Sequence, residues 1–239
     1  MRNQKKPAIA LRRATDADYH PSFLPRVAPW LLSYRNNSNP ARRTAFAQSM
    51  RPLFASAVSE HEALMTEAGA THCLRKDGWL KLYRTEAAFT ATTPERELAG
   101  EYGLAFRILD VAEAQAMEPA LAPVFQRAVH WPGAASVSDP LALTRAYVAR
   151  FEALGGVVLT GDARSLRRDG PLWRVEVEEG LVDAREAVVA LGPWAPDLLK
   201  SLGIDLPLAV KRGYHRHFRP RGNSGLSRPI VDAEIGYCV

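Results

Sequence analysis

Asp139-Pro140 opens an apolar periodicity that stops at Gly155-Gly156 and hands over directly to the apolar triplet 157–159. This unit restricts the chain to folds that mix helices with sheet. An Asp can accept the first free N–H groups of a helix, and a Pro in the first turn gives up an N–H that would have no partner anyway. Leu141, Leu143, Tyr147, Val148, Phe151 and Leu154 then recur at helical spacing, and two glycines end the run. The triplet behind them reads as a short buried strand. It is followed by a strand at residues 172–177 that turns at Glu179-Gly180, and by a second apolar strand at 187–191. Gly192-Pro193-Trp194 comes next, and a helical pattern resumes over 195–202. Together these pieces predict one wing of an α/β sheet.

Upstream the grammar is different. Ser38-Asn39-Pro40 leads into Phe46, Met50, Leu53, Phe54, Ala57, Val58, Leu64 and Met65, with Gly69 behind, which predicts a long amphipathic helix bent at Pro52. Residues 72–75 and 79–83 flank Lys76-Asp77-Gly78, and Asp-Gly supplies the positive-φ residue of a tight hairpin. Helices are expected over 86–102 and 110–117, the latter capped by Asp110, with a short strand between them at 104–109. Residues 21–132 thus form a mixed helical and hairpin region.

With 239 residues and 47% apolar side chains, the chain is long enough for one large or two small domains. Its 31 basic against 26 acidic residues give +5, a bias that tolerates an anionic partner without demanding one. Cys73 and Cys238 stand far apart, outside any zinc-type or disulfide spacing, so a reducing, cytoplasmic setting is expected. Residues 1–20 are basic, with an apolar stretch too short for a signal peptide, and are expected to form a disordered arm. No segment approaches the roughly 20 apolar residues of a membrane span.

Two stretches suggest chemistry. The first is the junction at Gly192, since ligands of parallel α/β sheets bind where a strand's carboxyl end gives way to a helix. The same turn also serves as a plain hinge. The second is "LPLAVKRGYHRHF", residues 206–218, a strand-like run carrying Lys211, Arg212, His215, Arg216 and His217. Alternation would put Tyr214, Arg216 and Phe218 on one face and His215 and His217 on the other. A cationic wall at a ligand pocket and a charged edge that blocks sheet-to-sheet pairing both fit this run. His215 and His217 also have metal-compatible spacing, with Asp232 as an imaginable third ligand. Two histidines without an identified third ligand do not define a site, and no metal is assigned.

Several blocks taken in order carry a family resemblance. "SVSDPLALTRAYVARFEALGGVVLTGDARSL" and "WRVEVEEGLVDAREAVVALGPWAPDLLKSLGIDLPLAVKRGY" resemble the FAD-dependent oxidoreductases of the glycine oxidase and D-amino-acid oxidase superfamily. The look is nearest to bacterial D-amino-acid dehydrogenases. "LPRVAPWLLSYRNNSNPARR", "EHEALMTEAG", "DGWLKLYRTE" and "LDVAEAQAMEPAL" are similar to the corresponding earlier stretch, so the resemblance covers roughly residues 21–239.

The resemblance implies a two-domain fold in which a substrate domain interrupts a flavin domain. Residues 21–132 and 208–239 would be substrate-side, and 133–207 part of the flavin domain. It implies that the Ala163 backbone lies near the adenine, and that Ala190, Gly192 and Trp194 lie in the segment passing the flavin's phosphate and ribose. "PIVDAEIGYCV" resembles the strand that brings a Tyr hydroxyl to the substrate carboxylate, which makes Tyr237 the substrate-site candidate, joined by Tyr214, His215 and His217. A phenol donates a hydrogen bond there without adding charge.

The implied activity is oxidation of a D-amino acid or related amine to a 2-oxo acid and ammonia. Electrons would pass to oxygen or to a carrier at the membrane, with the protein cytoplasmic or peripheral to the inner membrane and no nucleic acid involved. The superfamily's GxGxxG and the acidic residue that follows it have no counterpart in these 239 residues, and neither does the later Arg that pairs with the substrate carboxylate. The chain is therefore expected to be an internal piece of a longer flavoenzyme, not expected to hold FAD tightly or to be active by itself. A non-catalytic remnant, or a basic interaction protein that binds an anionic partner, is the alternative.

Overall fold

The computed structural model describes residues 22, 24–208, 213–222 and 224–239. The expected basic arm at 1–20, together with Lys211 and Arg212, lies outside the described residues. Helices and sheets are mixed, and the chain divides into two units, one reaching to Tyr147 and resuming at Phe218, the other spanning Val148–His217.

The first unit begins with two helices, α1 (Leu24–Asn37) and α2 (Pro40–Glu67). No apolar periodicity had marked α1, which carries Pro25 and Pro29. The start of α2 follows local chemistry: Asn39 accepts the Arg42 amide at 3.0 Å, and Pro40 occupies the first turn. Pro52 lies inside α2, and only Met65 of its side chains is fully buried.

A 3-10 turn (Thr71–Cys73) leads into β1 (Leu74–Arg75), followed by β2 (Trp79–Tyr83), α3 (Glu86–Thr90), α4 (Thr93–Glu101), β3 (Arg107–Leu109), α5 (Val111–Met117), β4 (Arg127–Trp131) and β5 (Ser136–Val137). At α5 the Asp110 and Glu113 side chains cap each other's backbone N–H groups, a full capping box. α6 (Pro140–Ala153) starts as expected, with Asp139 accepting the Ala142 amide at 2.9 Å.

The hairpin expected around Asp77-Gly78 does not form. β1 pairs antiparallel with β5, whereas β2 lies between β4 and the late strand β9 (Ile230–Asp232). Gly78 does take a positive φ of 67°, but its Cβ-less face is pressed against a neighbour: an added methyl would lie 2.3 Å from the Trp131 carbonyl oxygen. Glycine is required there for clearance as much as for the turn.

The larger sheet runs β3-β4-β2-β9, antiparallel except for the parallel β2–β9 pair. One face carries Leu80, Leu82, Leu109, Ala128 and Ile230, closed over by Ala114, Val111 and Met117 of α5. The other face is covered through Tyr83, whose ring meets Phe89 edge-on at 5.4 Å, and through Lys81, which donates to both carboxylate oxygens of Glu95. Arg96 stacks its guanidinium over Phe89 at 3.9 Å and donates to the Thr92 hydroxyl, so its buried charge is satisfied. A second small core joins Met65 and Ala70 to Leu143 of α6.

The other unit holds an antiparallel meander: β6 (Gly161–Asp169), β7 (Leu172–Val177) and β8 (Gly180–Ala184); Val177 pairs with Gly180, so the turn falls at Glu178-Glu179, one residue before the expected Glu179-Gly180. A register shift between Asp162 and Arg167 bends β6. A 3-10 turn (Gly192–Trp194) leads into α7 (Ala195–Ser201), which buries Ala195 and Leu198.

The expected strands at 157–159 and 187–191 are absent. Val157 and Val158 are exposed, Val188 is 92% exposed, and no ladder partner lies beside either run among the described residues. An apolar run becomes a strand only when another strand completes its hydrogen bonds. Of the strand expected within 206–218, residues 209–212 lie outside the described residues; residues 213–218 have no regular structure and are exposed, so they do not present the alternating faces assigned to Tyr214, Arg216 and Phe218 against His215 and His217.

Candidate active site

Tyr237 sits on the return arm of a C-terminal hairpin. Ile230 and Val239 exchange both backbone hydrogen bonds, the Asp232 amide donates to the Tyr237 carbonyl at 3.1 Å, and Val231 pairs with Cys238. Leu82, Asp232 and Tyr237 are consequently in register across three chain segments, and Arg84, two residues beyond Leu82, reaches the same edge.

The turn between the arms is fixed by buried Asp232. Its Oδ1 accepts the amides of Glu234 and Ile235 at 3.0 and 2.7 Å, and its Oδ2 accepts Arg84 Nε at 2.7 Å. Burial opposes ionisation of this carboxyl. The Ile235 amide, the Arg84 guanidinium and the Glu234 amide together outweigh it and hold the group below the usual carboxylate range. Glu234 ties the same turn to the end of β2, accepting the Arg84 and Thr85 amides at 2.6 and 3.0 Å and the Thr85 hydroxyl at 3.0 Å.

The Arg84 guanidinium is bound by Asp232, which raises its pKa against the opposing effect of burial, and the Tyr237 phenol adds a smaller push in the same direction. Tyr237 is 45% exposed, so its phenolic O–H on this braced hairpin is open to a ligand, beside an Arg84 whose charge is paired with Asp232. Arg84 and Glu234 had carried no signal in the sequence, because 148 residues separate Arg84 from Asp232. Asp232, imagined as a metal ligand, spends its oxygens on Arg84 and on two backbone amides.

A second carboxylate closes the sheet from outside. Glu118, 2% exposed, accepts the Ser227 amide and hydroxyl and Arg228 Nε at 2.8 Å, while Arg228 Nη1 donates to the Asp77 carbonyl. Burial again works against the charge, and Ser227 and Arg228 more than compensate, lowering the Glu118 pKa.

The other expected site residues lie in the second unit. Ala163 is half-buried on β6, next to Asp162, whose carboxyl is pulled down to about 2 chiefly by the Arg164 side chain and its amide. Ala190 and Trp194 are exposed. Gly192 takes a φ of 54°, and a methyl added there would meet no atom within 4 Å. None of these residues forms an anion cradle, and no GxGxxG occurs in the sequence. Tyr214, His215 and His217 are exposed, and the two imidazoles meet edge-on at 5.3 Å.

The first unit also has an open apolar groove of about 730 Å³, between Phe46, Met50 and Phe54 of α2 and Trp79, Tyr102 and Trp131. No group of His, Cys, Asp and Glu side chains among the described residues is arranged to hold a metal ion. None of the described helices is long and apolar enough to cross a membrane.

A mixed α/β chain with a braced Tyr–Arg edge on its larger sheet matches known proteins in both sequence and fold. The model of the DAO family, FAD dependent oxidoreductase, matches residues 20–239, and the chain belongs to that family. A D-amino-acid oxidase of Bradyrhizobium diazoefficiens is 32% identical over 198 residues, 81% of this chain and 46% of that protein. A D-amino acid dehydrogenase of Methylobacterium radiotolerans is 31% identical over 229 residues, 90% of this chain and 50% of that protein. Glycine oxidase from Geobacillus kaustophilus superposes with a TM-score of 0.55 at 26% identity, covering 71% of this chain and 44% of its own. The chain spans about half the length of the curated relatives it matches. The family is FAD-dependent, and the mixed helix-and-sheet class expected from the sequence holds.

Proposed function

We propose that this chain supplies the substrate-side sheet and the adenosine-side part of the flavin region of an FAD-dependent enzyme that oxidises D-amino acids or related amines to 2-oxo acids and ammonia. The family match across residues 20–239 carries this reading, and the relatives named D-amino-acid oxidase and D-amino acid dehydrogenase support that substrate class. Residues 133–207 form the flavin side, with Ala163, Ala190, Gly192 and Trp194 along the adenosine and phosphate path. Residues 21–132 and 208–239 form the substrate side.

On that side Tyr237 donates its O–H to the substrate carboxylate from a hairpin whose turn Asp232 braces. Tyr214, His215 and His217 are kept as substrate-side candidates on the family resemblance alone. Bound FAD would supply the two-electron oxidant for the substrate α-carbon, and hydrolysis of the oxidised substrate by water would release the 2-oxo acid and ammonia.

The test uses the protein purified from its native cell: the absorbance of bound flavin, and reduction of a dye by a panel of D- and L-amino acids. Tyr237→Phe should raise KM for the D-amino acid about tenfold, the worth of one hydrogen bond to a charged group, with kcat little changed. A native protein that holds no flavin and reduces no dye with any amino acid would sink the reading. Oxygen consumption in place of dye reduction identifies oxygen as the acceptor.

A further inference from the structure

β9 is three residues long and lies parallel to β2, pairing Leu80 with Ile230, Lys81 with Val231 and Leu82 with Asp232. So short a ladder fixes its own register weakly, and parallel pairing is the weaker kind. A slip of two residues, about 6.6 Å along β2, would leave every side chain on its present face, so alternation alone does not exclude it. Tyr237 rides on this strand, because the Asp232 amide donates to its carbonyl and Ile230 and Val239 exchange both backbone bonds. Where β9 sits along β2 therefore decides where the phenol sits.

A buried carboxylate holds the strand at each end. Asp232 shapes the turn on the Tyr237 side. At the other end Glu118, the last residue of α5, accepts the Ser227 amide and hydroxyl and Arg228 Nε. Arg228 reaches on to the Asp77 carbonyl at 3.1 Å, and the same oxygen accepts from His130 Nε2 of β4 at 3.1 Å. Residues 227 and 228 are thus tied to α5 and, through the loop ahead of β2, to β4. Pro229 follows, its carbonyl accepting the Leu80 amide at 3.0 Å, and its fixed φ passes the constraint to Ile230 with little slack.

We infer that Glu118 and Arg228 are positioning residues, which set the register of β9 on β2 and through it the place of the Tyr237 hydroxyl. An apolar pair could close this end of the sheet without desolvating two charges, but apolar contact is non-directional and tolerates sliding. Hydrogen bonds to Glu118 and Asp77 do not, because they weaken steeply with distance and angle. The inference rests on the reading of Tyr237 as the group that meets the substrate carboxylate.

The experiment uses the enzyme purified from its native cell, with each substitution made in its own gene. Assays run at a temperature where circular dichroism shows every variant folded, so that lost stability alone does not move KM. Glu118→Gln should raise KM for the D-amino acid about fivefold, with kcat within about twofold. Arg228→Lys keeps the charge but has no second nitrogen for the Asp77 carbonyl; it should raise KM about threefold, and it decides the matter if Glu118→Gln does not fold. With Tyr237→Phe already in place, each substitution should change KM by less than about 1.5-fold, because the hydroxyl it positions is gone. An unchanged KM in both variants, a fall in kcat without a rise in KM, or a KM effect undiminished beside Tyr237→Phe overturns the inference and leaves the reading of Tyr237 standing. Tyr237→Phe with an unchanged KM removes that reading, and the inference with it.

Discussion

Replacing Asp232 with Ala removes the acceptor that shapes the Tyr237 hairpin, and its cost can be worked out from the contacts. Two partly buried backbone amides, of Glu234 and Ile235, lose a charged acceptor at 3.0 and 2.7 Å. Each such bond contributes roughly 1 to 1.5 kcal/mol, so the expected loss is about 2 to 3 kcal/mol. The Arg84 contact adds little to that sum, because its side chain is about a third exposed and water screens the pair. Asp232→Asn keeps an acceptor oxygen and should lose only about 1 kcal/mol. Urea denaturation at neutral pH, followed by circular dichroism, measures both variants. The folded-state pKa of Asp232 is depressed, so its contribution is complete above the unfolded carboxylate value of about 4 and is lost as pH falls through the folded value. The gap between Asp232→Ala and the unsubstituted protein should therefore narrow below about pH 4. A loss under about 0.5 kcal/mol at neutral pH, or a gap that widens on acidification, would refute the reasoning.

Gly78→Ala should cost about 3 kcal/mol, combining a positive φ with a methyl 2.3 Å from the Trp131 carbonyl oxygen, whereas Gly103→Ala, at φ 71° with open space around it, should cost about 1 kcal/mol; equal losses in a thermal melt would show that the close approach is not real. Glu118→Gln should destabilise by about 2 kcal/mol in the same denaturation assay, since Ser227 and Arg228 then face a neutral acceptor, and a neutral outcome would mean that this buried cluster does not hold the 227–228 segment.

What could be read from the sequence was whatever a few neighbouring residues decide. Asn39, Asp110 and Asp139 start helices by accepting amides three residues ahead, and the turn between β7 and β8 falls within one residue of Glu179-Gly180. Strand partners were another matter. Asp77-Gly78 looked like a hairpin because its flanks are apolar on both sides, but Leu74 pairs with Val137, and Leu80 with His130 and Ile230, choices made by tertiary packing far away in the chain. The apolar runs at 157–159 and 187–191 carried the composition of strands without the neighbours that make one. The candidate site was legible only in part. Tyr237 could be nominated by resemblance, but Arg84, Asp232 and Glu234 meet across most of the sequence, and no local pattern announces that meeting.

The parallel seam between β2 and β9 also sets an order of assembly. β6, β7 and β8 are consecutive and joined by short turns, so that meander can form as soon as its own residues have left the ribosome. β2 cannot: Ile230 must arrive from the far end of the chain to complete the Leu80 and Leu82 cluster, and closing so long a loop carries an entropic cost that only the finished contacts repay. During synthesis the flank of β2 that will receive β9 therefore stands as an open edge, the most vulnerable surface of the nascent protein to wrong pairing.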